Sequence, residues 1–279
     1  MEVVRARHAG ACYGVQRALD LAAEATEGQP EGVVTFGPLI HNPTVVASLE
    51  RRGARVVGSI AEAEGEVVVI RSHGALPAER RALEGCAAAV VDATCPHVAR
   101  AQVAAADLGR SQELVVVVGE AGHPEVESLV AYAEEAGAAV RVVAVPSDLP
   151  EELPASVGVV VQTTQPREAL EAVVRALAGR GATAQVKDTV CTATRHRQGA
   201  ASELAGQVDA MVVIGGRNSS NTTRLAEICA ERCPRTFHVE SAGELDPAAF
   251  AGCRAVGVTA GASTPEDQIA AVTGWLRSL

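Results

Sequence analysis

Ala89-Val90-Val91-Asp92-Ala93-Thr94-Cys95-Pro96-His97-Val98-Ala99-Arg100-Ala101 runs from an apolar, β-branched stretch through a cysteine into an Ala-rich helical pattern. The order recurs twice. Val186-Lys187-Asp188-Thr189-Val190-Cys191 leads into Thr192-Ala193-Thr194-Arg195-His196-Arg197, again with Asp three residues before the cysteine. Near the N-terminus, Val3-Val4-Arg5 is followed by Gly10-Ala11-Cys12 and then Tyr13-Gly14-Val15-Gln16-Arg17-Ala18. Three strands therefore end in three cysteines, each standing just before a helix.

The downstream spacing turns this into a repeat. Val33-Val34-Thr35-Phe36 opens into a loop with His41, 29 residues after Cys12; Leu114-Val115-Val116-Val117-Val118 reaches His123, 28 after Cys95; Met211-Val212-Val213-Ile214 reaches Ser219, 28 after Cys191. A third strand and polar loop follow in each copy: residues 67–70 before His73, 157–161 before Thr163 and 255–258 before Ser263. The expectation is three α/β units, 13–94, 95–187 and 188–279, the last completed by residues 1–12. A period of roughly 90 residues is too long for a solenoid, so the units are expected to pack around a common centre. Nearly continuous apolar strands alternating with helices predict parallel sheets. Residues 28–32 and 146–154, rich in Gly, Pro and acidic residues, predict surface connections.

Composition excludes several classes. The chain of 279 residues carries a net charge of −10, one lysine (Lys187) and 2% aromatics, leaving no basic stripe or stacking platform for nucleic acid. No apolar run approaches the roughly 20 residues of a membrane span, and Glu2, Arg5, Arg7 and His8 interrupt any signal-peptide core. The expected compartment is the cytoplasm, where seven cysteines are reduced and available as ligands or nucleophiles.

A single buried cysteine is most simply a small hydrophobe. Cys12, Cys95 and Cys191, recurring at one position of a repeat, read instead as three thiolates from three loops, one ligand short of four. A catalytic zinc and an iron–sulfur cubane with one open iron both fit. Cys229 and Cys233, four apart on an expected helix, read as core residues, and Cys86 and Cys253 likewise as structural.

His41, His73, His123, Thr163, Ser219, Ser220, Asn221 and Ser263 follow strands, at the carboxyl ends where α/β sheets bind ligands. Helix caps and turns account for each alone: Ser219 and Ser263 as caps, His41 and His123 as turn residues. Together they form a ring of donors suited to a diphosphate held by helix termini, hydroxyls, an amide and imidazoles. Pro43, Pro124, Pro166 and Pro265 are expected at or near first helical turns, and no G-x-x-x-x-G-K-[ST] loop is present. Glu125 reads either as a first-turn acid favouring its helix dipole or as a buried general acid acting through Thr163 or a substrate hydroxyl; Glu127 is expected to turn away.

Gly10-Ala11-Cys12-Tyr13-Gly14-Val15, Gly37-Pro38-Leu39-Ile40-His41-Asn42-Pro43, Arg71-Ser72-His73-Gly74, Asp92-Ala93-Thr94-Cys95-Pro96, Gly122-His123-Pro124-Glu125-Val126-Glu127, Gln162-Thr163-Thr164-Gln165, Asp188-Thr189-Val190-Cys191, Asn218-Ser219-Ser220-Asn221 and Gly261-Ala262-Ser263-Thr264-Pro265-Glu266 together resemble the 4-hydroxy-3-methylbut-2-enyl diphosphate reductase family from end to end. The resemblance implies a trefoil of three α/β units around one [4Fe-4S] cluster per chain, ligated by Cys12, Cys95 and Cys191. It implies diphosphate binding by His41, His73, Ser219, Ser220, Asn221 and Ser263, and contacts around the substrate hydroxyl from His123, Thr163 and Glu125, with Glu125 as proton donor. The implied reaction is a two-electron reductive dehydroxylation to isopentenyl and dimethylallyl diphosphates, with reduced ferredoxin or flavodoxin as donor. Two positions depart from the family pattern: Ala11 stands where Phe is usual, and Ser128 where Gly is common. An iron–sulfur sensor without turnover and a thiol-zinc hydrolase are the competing readings from other classes.

Overall fold

Valine-rich runs with both faces apolar can only be satisfied between layers of helix, and that is how the chain uses them. The computed structural model describes residues 1–27, 29 and 32–279; Gly28, Pro30 and Glu31 of the first expected connection lie outside the described residues. Along the chain run β1 (Glu2–Arg5), α1 (Tyr13–Glu27), β2 (Val33–Phe36), α2 (Pro43–Arg51), β3 (Ala54–Val57), β4 (Val67–Ile70), α3 (Pro77–Cys86) and β5 (Ala89–Asp92). Then come α4 (Pro96–Ser111), β6 (Leu114–Val118), α5 (Pro124–Glu135), β7 (Ala139–Val143), β8 (Ser156–Val161), α6 (Arg167–Gly179) and β9 (Thr183–Lys187). The last part holds α7 (Thr192–Ala205), β10 (Ala210–Ile214), α8 (Ser220–Ala230), β11 (Thr236–Val239), β12 (Ala255–Ala260) and α9 (Glu266–Arg277).

The strands form three parallel four-stranded sheets, ordered β3-β2-β4-β5, β7-β6-β8-β9 and β11-β10-β12-β1. Each therefore has one strand order, and in the last sheet the N-terminal β1 takes the position that β5 and β9 hold in the others. The α/β class with parallel sheets, expected from the sequence, is the class observed. In each sheet a short 3₁₀ turn follows the edge strand β3, β7 or β11: Ala61–Ala63, Pro146–Asp148 and Ala242–Glu244. The connection 146–154 is thus partly structured, and its Leu149 is buried in a core cluster.

The chain divides into two compact units. One comprises Met1–Gln16, Ile40–Ala47 and Thr192–Leu279 and contains the β1 sheet; the other comprises Arg17–Leu39 and Ser48–Cys191 and contains the other two sheets. In the first, Ile214, Val258, Ile269 and Leu276 pack one face of the sheet and Leu204, Met211, Leu225 and Cys229 the other. Cys229 is a core residue as read, and burial pushes its thiol up to about 12. Cys233 is buried too but lies beyond the end of α8, not on it, because the helix stops at Ala230 while the Cys233 N–H still reaches the Cys229 carbonyl at 2.8 Å.

In the second unit α4 and α5 approach closely at Gly109, where a Cβ would stand 2.4 Å from the Ala133 carbonyl oxygen and 2.8 Å from the Ala136 Cβ. Alanine is the better helix former by about 1 kcal/mol, but overpacking a contact of this kind costs about 1–3 kcal/mol. Gly109→Ala is expected to lower stability by roughly 1 kcal/mol in urea unfolding; a higher midpoint would show that α5 yields without cost.

Candidate functional site

The three cysteine loops are built alike. Cys95 is the N-cap of α4, and Cys12 and Cys191 directly precede α1 and α7; all three are half-buried. The Cys12 N–H donates to the Ala262 carbonyl (3.1 Å), Cys95 to Ser72 (3.0 Å) and Cys191 to Thr163 (3.1 Å). The aspartate three residues upstream has a mechanical role. Asp92 Oδ1 accepts the Thr94 N–H at 2.9 Å and Asp188 Oδ1 the Val190 N–H at 3.2 Å, each bending the chain from its strand toward the cysteine. The first repeat has Ala9 there. Its turn uses Gly10 at φ 97°, and the buried guanidinium of Arg197 donates to the Gly10 carbonyl at 2.7 Å.

These same bonds define a register that differs from the sequence reading. Ser72, Thr163 and Ala262 are equivalent, and each third-strand loop closes with one turn bond: Gly74 to Arg71, Gln165 to Gln162 and Thr264 to Gly261. Thr164 therefore stands where His73 and Ser263 stand, and Thr163 is one residue earlier. No hydropathy signal marks the strand ends that set this offset.

In the second unit the Glu125 carboxylate is 1% exposed. Its Oε1 accepts the Thr163 N–H at 2.6 Å and its Oε2 the Thr163 hydroxyl at 2.9 Å. Burial pushes Glu125 up to about 7 against the lowering effect of those bonds, because no positive side chain answers the loss of water. Thr163 thus joins the acid to the backbone of the Cys191 loop. His123 caps α5: its Nδ1 accepts the Glu125 N–H at 3.1 Å, which assigns the neutral ring's proton to Nε2. The His73 and His123 rings meet edge to face, centroids 5.6 Å apart. Glu127 is exposed, as read.

Ser128 is part of this frame. Its hydroxyl donates to the Glu125 carbonyl at 2.8 Å and accepts from the buried Gln102 amide at 3.2 Å. That amide lies against Gly74, next to His73, where a Cβ would come within 2.3 Å of it. Gln102 carried no signal in the sequence, lying mid-helix among alanines. Arg17 on α1, equally silent, donates to the Thr94 and Asp92 carbonyls beside Cys95.

In the first unit Ser219 caps α8 through its Oγ, which accepts the Thr222 N–H. Asn221 is 5% exposed, and neither amide atom has a protein partner. Gly215 and Gly261 let this helix start sit directly on the strand ends: a Cβ on Gly261 would lie 2.0 Å from Thr222 Oγ1. Ser263 is not a helix cap, since Pro265 holds that place before α9; its hydroxyl donates to the His41 carbonyl at 3.1 Å. Asn42 returns the link, its amide donating to the Ser263 carbonyl at 2.9 Å while its Oδ1 caps α2. Pro166, like Pro265, is an N-cap; Pro43 and Pro124 begin their helices as expected.

The first unit therefore carries Cys12, His41, Ser219, Ser220, Asn221 and Ser263, and the second Cys95, Cys191, His73, His123, Glu125 and Thr163. The chain is similar along its length to known proteins. It is 49% identical over 269 residues to the 4-hydroxy-3-methylbut-2-enyl diphosphate reductase of Citrifermentans bemidjiense, covering 95% of this chain and 93% of that one. It is 44% identical over 281 residues to that of an Anaeromyxobacter species, covering 100% and 98%. A solved structure of (E)-4-hydroxy-3-methyl-but-2-enyl diphosphate reductase, described as the terminal enzyme of the non-mevalonate pathway, matches all of both chains at 40% identity and TM-score 0.74. The Plasmodium falciparum reductase, at 22% identity and TM-score 0.89 over 100% of this chain and 87% of that one, shares the fold. The family model described as LytB protein matches residues 3–277, and the chain belongs to that family.

Proposed function

We propose that this chain is a 4-hydroxy-3-methylbut-2-enyl diphosphate reductase, taking two electrons and two protons to convert its allylic alcohol substrate into isopentenyl or dimethylallyl diphosphate and water. The observation that carries this beyond likeness is the buried Glu125–Thr163 pair, a protonatable acid fastened to the loop of a repeated cysteine.

Cys12, Cys95 and Cys191 would hold one [4Fe-4S] cluster per chain. The donor set fits: three half-buried thiols at one position of a repeat, each at a helix start. A cubane on three protein sulfurs supplies electrons and one iron open as a Lewis acid when bound. In this reading the chain is organised as the three repeats 13–94, 95–187 and 188–279 with 1–12, arranged as a trefoil. Electrons come from reduced ferredoxin or flavodoxin, and the setting is cytoplasmic. No helix among the described residues is long and apolar enough to cross a membrane.

The remaining steps belong to side chains. The first turn of α8 presents Ser219, Ser220 and the Asn221 amide, with His41, His73 and Ser263 completing a grip on diphosphate. That remote charge holds the alcohol in place for reaction. His123 donates from Nε2 toward the hydroxyl oxygen. Glu125 holds a proton up to about pH 7 and passes it through the Thr163 hydroxyl to the departing oxygen.

Anaerobic turnover with the diphosphate and reduced viologen tests the reading directly. Wild type is expected to be brown and active, Cys95→Ser to lose cluster and rate, and Glu125→Gln to keep its cluster while losing about 100-fold or more in kcat. A cluster that reduces nothing would mark a sensor, and colourless zinc protein a hydrolase.

Asn221→Ala removes a buried amide that has no protein partner, so stability is expected to hold or rise. Its KM for substrate should rise about tenfold, the worth of a hydrogen bond to a charged group. Unchanged KM would remove Asn221 from the grip.

Glu125 also has a pH signature. Its folded pKa lies above the unfolded value, so its protonated form adds stability that is complete below about 4.5 and lost as pH rises through about 7. Relative to Glu125→Gln, wild type is expected to lose roughly 3 kcal/mol in urea unfolding between pH 4.5 and pH 8. Parallel pH profiles for the two proteins would mean a carboxyl that never titrates in this range.

A further inference from the structure

We propose that Gln268, on the first turn of α9, is a positioning residue for diphosphate binding, bracing the His41 loop and the loop that enters α8 as one grip. The inference rests on the diphosphate part of the reductase reading and deepens it, naming a residue that acts on the grip through its neighbours.

A glutamine at the third position of a helix ordinarily turns back to the N–H of the capping residue. Here the cap is Pro265, which has no N–H to offer. The two acids of the same turn are engaged elsewhere: Glu266 pairs with Arg5, and Asp267 Oδ1 accepts the Gln268 N–H at 2.8 Å. The half-buried Gln268 side chain therefore leaves its own helix and uses both ends of its amide. Its Oε1 accepts from the Asn42 amide at 3.3 Å, and its Nε2 donates to the Glu240 carbonyl just past β11.

Each end meets a loop that carries candidate diphosphate ligands. The segment Ile40–Ala47 belongs to a unit otherwise made of the two ends of the chain, so side chains must fasten it there. Asn42, 2% exposed, does this by donating to the Ser263 carbonyl at 2.9 Å as well as to Gln268, while its Oδ1 accepts the Val45 N–H. On the other side Glu240 Oε1 accepts the Arg217 N–H at 2.8 Å, two residues before Ser219. Glu244 steadies the same corner, accepting the Glu240 N–H at 2.7 Å and pairing with the Arg217 guanidinium. The two loops also pack directly, since a Cβ on Gly216 would stand 3.2 Å from the His41 carbonyl oxygen. The Arg217–Glu244 pair is exposed and adds little energy. What Gln268 contributes is preorganisation: a grip assembled from separate loops binds tightly only when ordering them costs little at the moment of binding.

The test uses anaerobic holoprotein, with the allylic diphosphate and inorganic pyrophosphate as probes. Gln268→Met keeps the length of the side chain and removes both bonds. It is expected to raise KM for substrate about five- to tenfold and to weaken pyrophosphate binding by calorimetry in parallel, with kcat within about twofold and cluster content unchanged. Gln268→Glu, which turns an oxygen toward the Glu240 carbonyl, should weaken both at least as much. In a Glu240→Ala background the link to Arg217 is already cut, so adding Gln268→Met should cost about threefold or less. A KM that stays at the wild-type value, a loss confined to kcat, or full additivity of the two changes overturns the proposal. Wild type whose pyrophosphate binding is loosened by Gln268→Met, but which reduces no substrate, would sink the reductase reading and leave the brace standing.

Discussion

One backbone hydrogen bond, made three times, organises this molecule: the N–H of a cysteine to a carbonyl two residues past the end of the third strand of its sheet. Cys12 to Ala262, Cys95 to Ser72 and Cys191 to Thr163 span 3.0–3.1 Å. Each bond ties the loop leaving one strand to the loop leaving its neighbour, both at the carboxyl end. It leaves the cysteine at a helix start. What varies between repeats is what stands beside that bond: a histidine, a threonine hydroxyl or a serine.

That constraint explains the small residues around it. Carboxyl ends of parallel strands are where helix N-termini gather, and the backbone there must come close enough for N–H groups to face a ligand. Gly215 and Gly261 allow α8 to begin directly over β10 and β12, where any side chain would collide with Thr222 or Thr264. Gly74 does the same for the Gln102 amide. The glycines are distributed by the site as much as by the turns.

Most of this architecture was legible in the sequence. Strand runs, the three cysteines, the histidine or serine 28–29 residues on, and the α/β class all follow from patterns of residue type. The intermediate register did not. Residue type alone aligns the third-strand loops on His73, Thr163 and Ser263, although their distances from the apolar runs differ; hydrogen bonding extends β12 to Ala260, past the last large apolar residue, and so shifts the match to Thr164. Serine before a helix usually caps it, yet at Ser263 Pro265 intervenes and the hydroxyl turns to His41. Gln102 and Ser128 were invisible as partners because they sit on different helices, and only tertiary packing brings an amide on α4 to a hydroxyl on α5.

Why a carboxylic acid should be buried here, when burial costs so much, follows from comparing the forces on Glu125. Two hydrogen bonds from Thr163 favour the charged form by about 1.5–3 kcal/mol each at most, and a cation nearby would add to them and fix the group as carboxylate. No such cation answers it, and desolvation prevails, holding the group near pH 7. A carboxyl balanced in this way can keep its proton at neutral pH and still release it when negative charge develops on a neighbouring oxygen. Thr163, bonded at both backbone and side chain, holds the carboxyl in one orientation. The Ser128 hydroxyl adds a further brace on the first turn of α5. An acid held so firmly by its neighbours needs little reorganisation to act, which is what a buried site gains in return for its desolvation.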